Sequence, residues 1–266
     1  MKKIIVFTSS LLLLTGLLAS ADSYESTEKQ GVWDELTAQA TFGFESEQVD
    51  EGQQAADAII TNNLELSLNG IYGGVETTLP VHDDSNKKYE VNFYIGYTTL
   101  LENIITLDIG YTYNWFPENR SNEDNVSDTH EYSLSLSLEA PFNPSISFAN
   151  DIDKDQIILE LSTNHTVDLA SIAANTELEL NAYLGMVDTD DLGADQTSNT
   201  RDNRSDANGY TYWGVSADYI YNFSDNAQGS LGVRYAANND GDSGIDNQTG
   251  DRESNLWWGL AFSAGF

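Results

Sequence analysis

The chain has 266 residues, 11 Lys+Arg against 43 Asp+Glu for a net charge of −32, and no cysteine. With no basic surface it is no nucleic-acid binder, and with no thiol it has neither disulfides nor thiolate chemistry. So acidic a chain could stay unfolded, but 14 Tyr, 10 Phe and 5 Trp oppose that reading.

Residues 1–21 read as a cleaved secretory signal peptide: Lys2 and Lys3, an apolar run from Ile4 to Leu18, then the small residues Ala19-Ser20-Ala21. Its removal takes away two lysines and brings the net charge to −34. No later stretch reaches the 18 or so apolar residues of a transmembrane helix.

From Leu36 onward the chain alternates. The first apolar face is Leu36, Ala38, Ala40, Phe42 and Phe44; the second Leu64, Leu66 and Leu68; the third Val75, Leu79 and Val81. Tyr89 to Tyr97 and Ile105 to Trp115 continue the pattern, as does Tyr132 to Leu138. Ile146 and Phe148 form a faint seventh segment, and Ile157, Leu159 and Leu161 a short eighth. Leu178 to Leu184, Trp213 to Phe223, Leu231 to Tyr235 and Trp258 to Phe266 complete twelve. A period of two marks strands with two unlike faces. Because two segments are faint, ten or fourteen strands stay open.

The connectors alternate in length. Gly70–Gly74, Thr99–Asn103, Pro141–Pro144 and Ser224–Asn226 are short and Val167–Asn175 somewhat longer, whereas Ser46–Asn62, Pro117–Asp128, Met186–Gly209 and Asn238–Glu253 are long, with His82–Lys88 and Asp151–Gln156 brief members of the long set. Strands of about ten residues, with short turns at one end and long loops at the other, predict a transmembrane up-and-down antiparallel β-barrel. This all-β barrel, twelve-stranded, is expected over 35–266, after a periplasmic N-terminal segment at 22–34. Aromatic residues support it. Trp115, Tyr132, Trp213, Tyr235 and Trp258 fall at long-loop ends, and Trp33, Tyr97, Phe142, Tyr221 and Phe266 at or beside short-turn ends, as two bilayer interfaces require. The expected location is the outer membrane of a Gram-negative bacterium. Its lipid and the barrel-assembly machinery are the expected partners. Phe266, ending an alternating strand, resembles the C-terminal signal that this machinery recognises.

The opposite parity should line the lumen. It carries Glu45, Glu65, Glu76, Glu90, Asp108, Glu131, Glu139, Glu160, Glu177, Glu179 and Asp218, with Arg234 the one basic residue among them. Eleven carboxylates against one guanidinium do not fit a dry core. A hydrated acidic lumen attracts cations and repels anions, so these residues are expected to line a pore for small hydrophilic solutes and cations. One or more long loops folding in and plugging the bore is the competing expectation.

No enzyme is expected. His82 and His130 lie in or beside loops, and His165 faces outward with no serine on its face, so the geometry of a nucleophile and base is missing. No cofactor or metal is expected either. The oxygen-rich loops Asn238–Asp251 and Asp188–Asp195 lack the glutamate that would complete a twelve-residue calcium loop.

Two stretches, Ile71–Thr99 and Ile105–Pro117, resemble the TorF-like family of porins. In that family a Tyr-x-Gly-Val strand leads to a proline, an aromatic strand, and an Asp-x-Gly strand closing in Tyr-x-x-x-Pro. The matching residues are Tyr72, Gly74, Val75, Pro80, Tyr89, Asp108, Gly110, Tyr113 and Pro117. The resemblance covers under a quarter of the chain and implies a porin with no catalytic residues. The reading is therefore a cation-preferring, porin-like channel. The alternative is a non-conducting surface barrel whose acidic loops serve adhesion or divalent-cation binding.

Overall fold

A computed structural model describes residues 36–81, 89–117, 128–189, 209–239 and 254–266. The signal peptide, Trp33, His82 and most of the two acidic loops lie outside these residues.

The strands are β1 (Thr37–Glu45), β2 (Gln48–Asp50), β3 (Gln53–Ala56), β4 (Ile59–Leu68), β5 (Ile71–Pro80), β6 (Glu90–Leu101) and β7 (Ile105–Trp115). They continue as β8 (Thr129–Leu138), β9 (Ser145–Asp151), β10 (Gln156–Asp168), β11 (Thr176–Thr189), β12 (Tyr210–Ser224), β13 (Ala227–Asn238) and β14 (Ser254–Gly265). Among the described residues, β1 and β4–β14 form one closed, antiparallel, twelve-stranded barrel in chain order. Closure is made by β1 on β14, with Phe42 opposite Phe262 and Phe44 opposite Leu260. Phe266 completes the seam: its N–H donates to the Ala38 carbonyl at 2.8 Å and its own carbonyl accepts from Ala38 N–H at 3.2 Å.

Both faint segments are strands. In β9, Ile146 and Phe148 point out while Ser145 points in and shares a 2.6 Å hydrogen bond with Ser162 of β10. A two-residue turn with left-handed backbone at both positions, Asn69 (φ 52°) and Gly70 (φ 82°), joins β4 to β5.

The two faces meet opposite environments. Outward Leu64, Ile95, Leu184 and Leu231 are 55–57 % exposed, whereas inward Glu90 and Asn92 are 1 % exposed. A soluble protein would reverse that order; lipid around the barrel explains it. Aromatic rings gather at both ends of the outer wall. Phe44–Trp258 (5.3 Å between centroids) and Trp213–Tyr235 (5.2 Å) lie toward the long loops, and Tyr221–Phe223 (4.9 Å) lies at the short turns.

One element has no counterpart among the expected strands. Within the Ser46–Asn62 connector, β2 and β3 pair into a separate two-stranded sheet. Glu51 (φ 51°) and Gly52 (φ 77°) form its turn.

Candidate functional site: an acidic lumen under an inward hairpin

Ten of the eleven carboxylates named from the sequence sit on the inward face of their strands, with Arg234 beside them. Glu139 does not. Strand β8 ends at Leu138, and Glu139 lies exposed in the turn, its N–H bonded to the Ile104 carbonyl at 2.8 Å. The alternation runs past the point where the approach of Pro141, which has no N–H, ends the ladder.

The inward charges are held by specific partners. Arg234 on β13 meets Asp218 on β12 at 3.0 Å and Glu45 on β1 at 3.9 Å, and Trp257 Nε1 donates to Glu45 at 2.9 Å. Tyr72 on β5 donates to Asp108 on β7 at 2.9 Å. Tyr94 on β6 donates to Glu65 on β4 at 3.1 Å and to Asn63 at 2.8 Å. Tyr212 on β12 donates to Glu160 on β10 at 2.9 Å.

These tyrosines were not among the expected lining residues, yet they carry a sequence signal. Tyr72, Tyr94, Tyr183 and Tyr212 each stand two residues before a glycine: Gly74, Gly96, Gly185 and Gly214. In space the pairs interlock. Tyr94 is opposite Gly74 and Tyr72 opposite Gly96; Tyr212 is opposite Gly185 and Tyr183 opposite Gly214. Each ring lies over the facing glycine, where a Cβ would collide with it. The glycines let Tyr72, Tyr94 and Tyr212 each reach across one strand to a carboxylate on the next.

The β5/β6 and β11/β12 locks lie six strand positions apart, on opposite sides of the barrel. The register repeats with them. Glu65–Gly74–Tyr94 and Glu160–Gly185–Tyr212 form equivalent rungs, as do Ser67–Tyr72–Gly96 and Ser162–Tyr183–Gly214. Thr37···Ser67 (2.7 Å) and Ser145···Ser162 (2.6 Å) are equivalent hydrogen bonds. The six strands β1 and β4–β8 thus repeat as β9–β14. The repeat does not keep charge: the counterpart of Asp108 is Arg234, and that of Glu76 is Val187.

It also breaks at the mouth. Between β1 and β4 the chain carries the β2–β3 hairpin; the equivalent β9–β10 connection is the short turn at 152–155. The hairpin crosses the lumen toward that turn. Gly52 carbonyl accepts from Asn238 Nδ2 on β13 at 2.9 Å and from Asn255 Nδ2 on β14 at 3.3 Å. Glu51 Oε2 accepts from Tyr210 OH on β12 at 3.1 Å and from Gln156 Nε2 on β10 at 3.3 Å. All four partners stand at the long-loop ends of their strands. Ala55 and Ala56 on β3 are buried, as are Thr78 and Thr129 on the wall. The hairpin therefore fills the long-loop mouth, the competing expectation for a long loop.

Glu51 is a buried charge at the tip of this plug. Burial pushes its carboxyl up from the ordinary 4.5 to about 7. Lys154, paired with Asp151 at 3.2 Å, and the Tyr210 and Gln156 hydrogen bonds oppose that rise without cancelling it.

The histidines make other contacts. Tyr111 OH and His130 Nδ1 share a 2.7 Å hydrogen bond, and His165 packs on Phe142 with ring centroids 4.9 Å apart. Among the described residues no group of three or more His, Cys, Asp or Glu side chains is placed to hold a metal ion.

No family model matches the chain, and no curated protein does. The likeness to the TorF-like family therefore rests on the strands between Ile71 and Pro117 alone. Among solved structures the chain is similar to the NanC porin, at 13 % identity and a TM-score of 0.48, over 85 % of this chain and 98 % of that one. It is similar to the outer-membrane protein Omp33 of Acinetobacter baumannii, at 10 % identity and a TM-score of 0.42, over 89 % and 100 %. It is also similar to OprD from Pseudomonas aeruginosa, at 10 % identity and a TM-score of 0.38, over 88 % of this chain and 65 % of that one.

Proposed function

We propose that this chain is an outer-membrane, porin-like channel that passes small hydrophilic solutes and prefers cations. One observation carries the reading: among the described residues, a closed barrel with an apolar outer wall turns the ten strand carboxylates above, Asp151 and Arg234, itself ion-paired, toward its interior. Low-dielectric walls focus that negative potential along the bore. The test is the reversal potential of the purified barrel in a planar bilayer under a KCl gradient. Preference for potassium is expected, shrinking as salt rises, because the Debye length falls from about 10 Å at 0.1 M to about 3 Å at 1 M. Replacing Glu177 and Glu179 together by Lys changes the local charge by about four units on one wall and is expected to weaken or reverse the preference. Preference for chloride in the unmodified protein would overturn the reading.

The hairpin across the mouth favours one other reading, a non-conducting barrel that displays its acidic loops. Channels in a folded, bilayer-inserted preparation decide against it; their absence at every pH decides for it.

Insertion follows from the C-terminal strand. Phe266 closes the seam and has the form of an assembly signal, so its deletion is expected to lower outer-membrane yield and leave protease-sensitive chain in the periplasm. Heat-modifiable barrel in normal amount would refute that role.

A further inference from the structure

We infer that the β2–β3 hairpin is a gate closed by protons: docked, it shuts the long-loop mouth, and it is released when Glu51 ionises. This rests on the channel reading above.

Three observations carry it. First, the hairpin is built to move separately. Among the described residues it is its own sheet, with no ladder to any barrel strand, and its tip is held by the four side-chain hydrogen bonds to Glu51 and Gly52. The equivalent connection in the second half of the barrel does without it, so barrel closure does not need it.

Second, the tip buries a carboxyl among mixed charges. Glu51 faces Glu160 of β10 and Glu131 of β8, with Lys154 of the β9–β10 turn as the cation near it. Asp151 holds that lysine at 3.2 Å, which divides its charge between carboxylates. Tyr210 and Tyr212 of β12 complete the surroundings. Burial strips an ionised Glu51 of its hydration, which the Lys154 charge and the hydrogen bonds do not replace, and it is relieved on reaching water.

Third, the dock lacks a donor that a protonated Glu51 would supply. Gln156 is 3 % exposed, and its Oε1 has no hydrogen-bond partner although its Nε2 donates to Glu51. A neutral carboxyl can accept from the amide N–H and donate its O–H to the amide oxygen; a carboxylate can only accept.

The sign follows from linkage. The docked carboxyl titrates at about 7 and the released one at its ordinary 4.5, so the docked state binds more protons between those values. Docking is strongest at acid pH. The release constant rises by up to about tenfold per pH unit through that window and levels off above it.

The experiment uses the full mature chain. Because the protein has no cysteine, Ala55→Cys and, separately, Asp57→Cys introduce single thiols, one buried under the docked hairpin and one exposed. The rate of labelling by a membrane-impermeant maleimide at position 55, relative to position 57, is expected to rise between pH 5 and pH 8. Channel opening in a planar bilayer should rise over the same range. Glu51→Gln should keep both low throughout, and deletion of residues 48–56 should leave the channel open at every pH. A labelling ratio that ignores pH, or a Glu51→Gln protein that keeps the unmodified profile, overturns the gate. A folded hairpin-deleted barrel that stays silent at every pH overturns the channel reading instead, and the gate with it.

Discussion

Ile109→Arg is expected to cost the barrel about 2–4 kcal/mol, as a charge at the bilayer midplane does. Ile109 is mid-strand in β7, flanked by Tyr97 of β6 and Leu134 of β8, and half of its surface faces the surroundings. Half exposure of an isoleucine would be ordinary in water. At the centre of a lipid-facing wall the substitution places a guanidinium in hydrocarbon, too far from either interface to reach water freely. Thr106→Arg, three residues earlier on the inward face of the same strand, is expected to change stability by only about 0.5 kcal/mol, because its side chain enters the lumen. Urea titration of the protein folded in lipid vesicles measures both. Equal losses from the two would mean the faces are reversed.

Arg234→Met is expected to cost about 3 kcal/mol, the low end of what removing one partner of a buried ion pair costs. The low end applies because Arg234, Asp218 and Glu45 keep side-chain exposures of 22 %, 13 % and 29 %. Without the guanidinium, Asp218 and Glu45 face each other, and Trp257 Nε1 still donates to Glu45. The loss should fall mainly on the β1–β14 seam and the strands beside it, since these groups come from β1, β12, β13 and β14. Adding Asp218→Asn to Arg234→Met should recover much of the stability, and the double-mutant cycle should show coupling well above about 0.5 kcal/mol. Full additivity would mean that Arg234 acts by packing alone.

The two predictions draw on different levels of information. That Ile109 faces lipid follows from a period of two and needs no partner strand. Even the short β9 was legible, because Ile146 and Phe148 alternate with serines. The same local rule overreached at Glu139, where a turn ended the strand while the alternation continued. It also passed over the Tyr-x-Gly pairs, whose meaning lies in what stands opposite. Tyr94 lies over Gly74 only because β5 and β6 pair in that register, and it reaches Glu65 only because Gly74 leaves the way clear.

By itself the sequence determined the barrel, the side of each strand that meets lipid and the sign of the lumen charge, with twelve strands expected and ten or fourteen left for the strand pairing to decide. Each of these depends on residues near one another in the chain, through side chains that alternate across a pleated strand. Only the tertiary structure decided the rest. The six-strand repeat appears when the register is known, since its equivalent residues are separated by unequal loops. The hairpin across the mouth brings Glu51 to Gln156 and Tyr210, 105 and 159 residues away. Alternation says which face a side chain takes; barrel closure decides what it meets across the lumen.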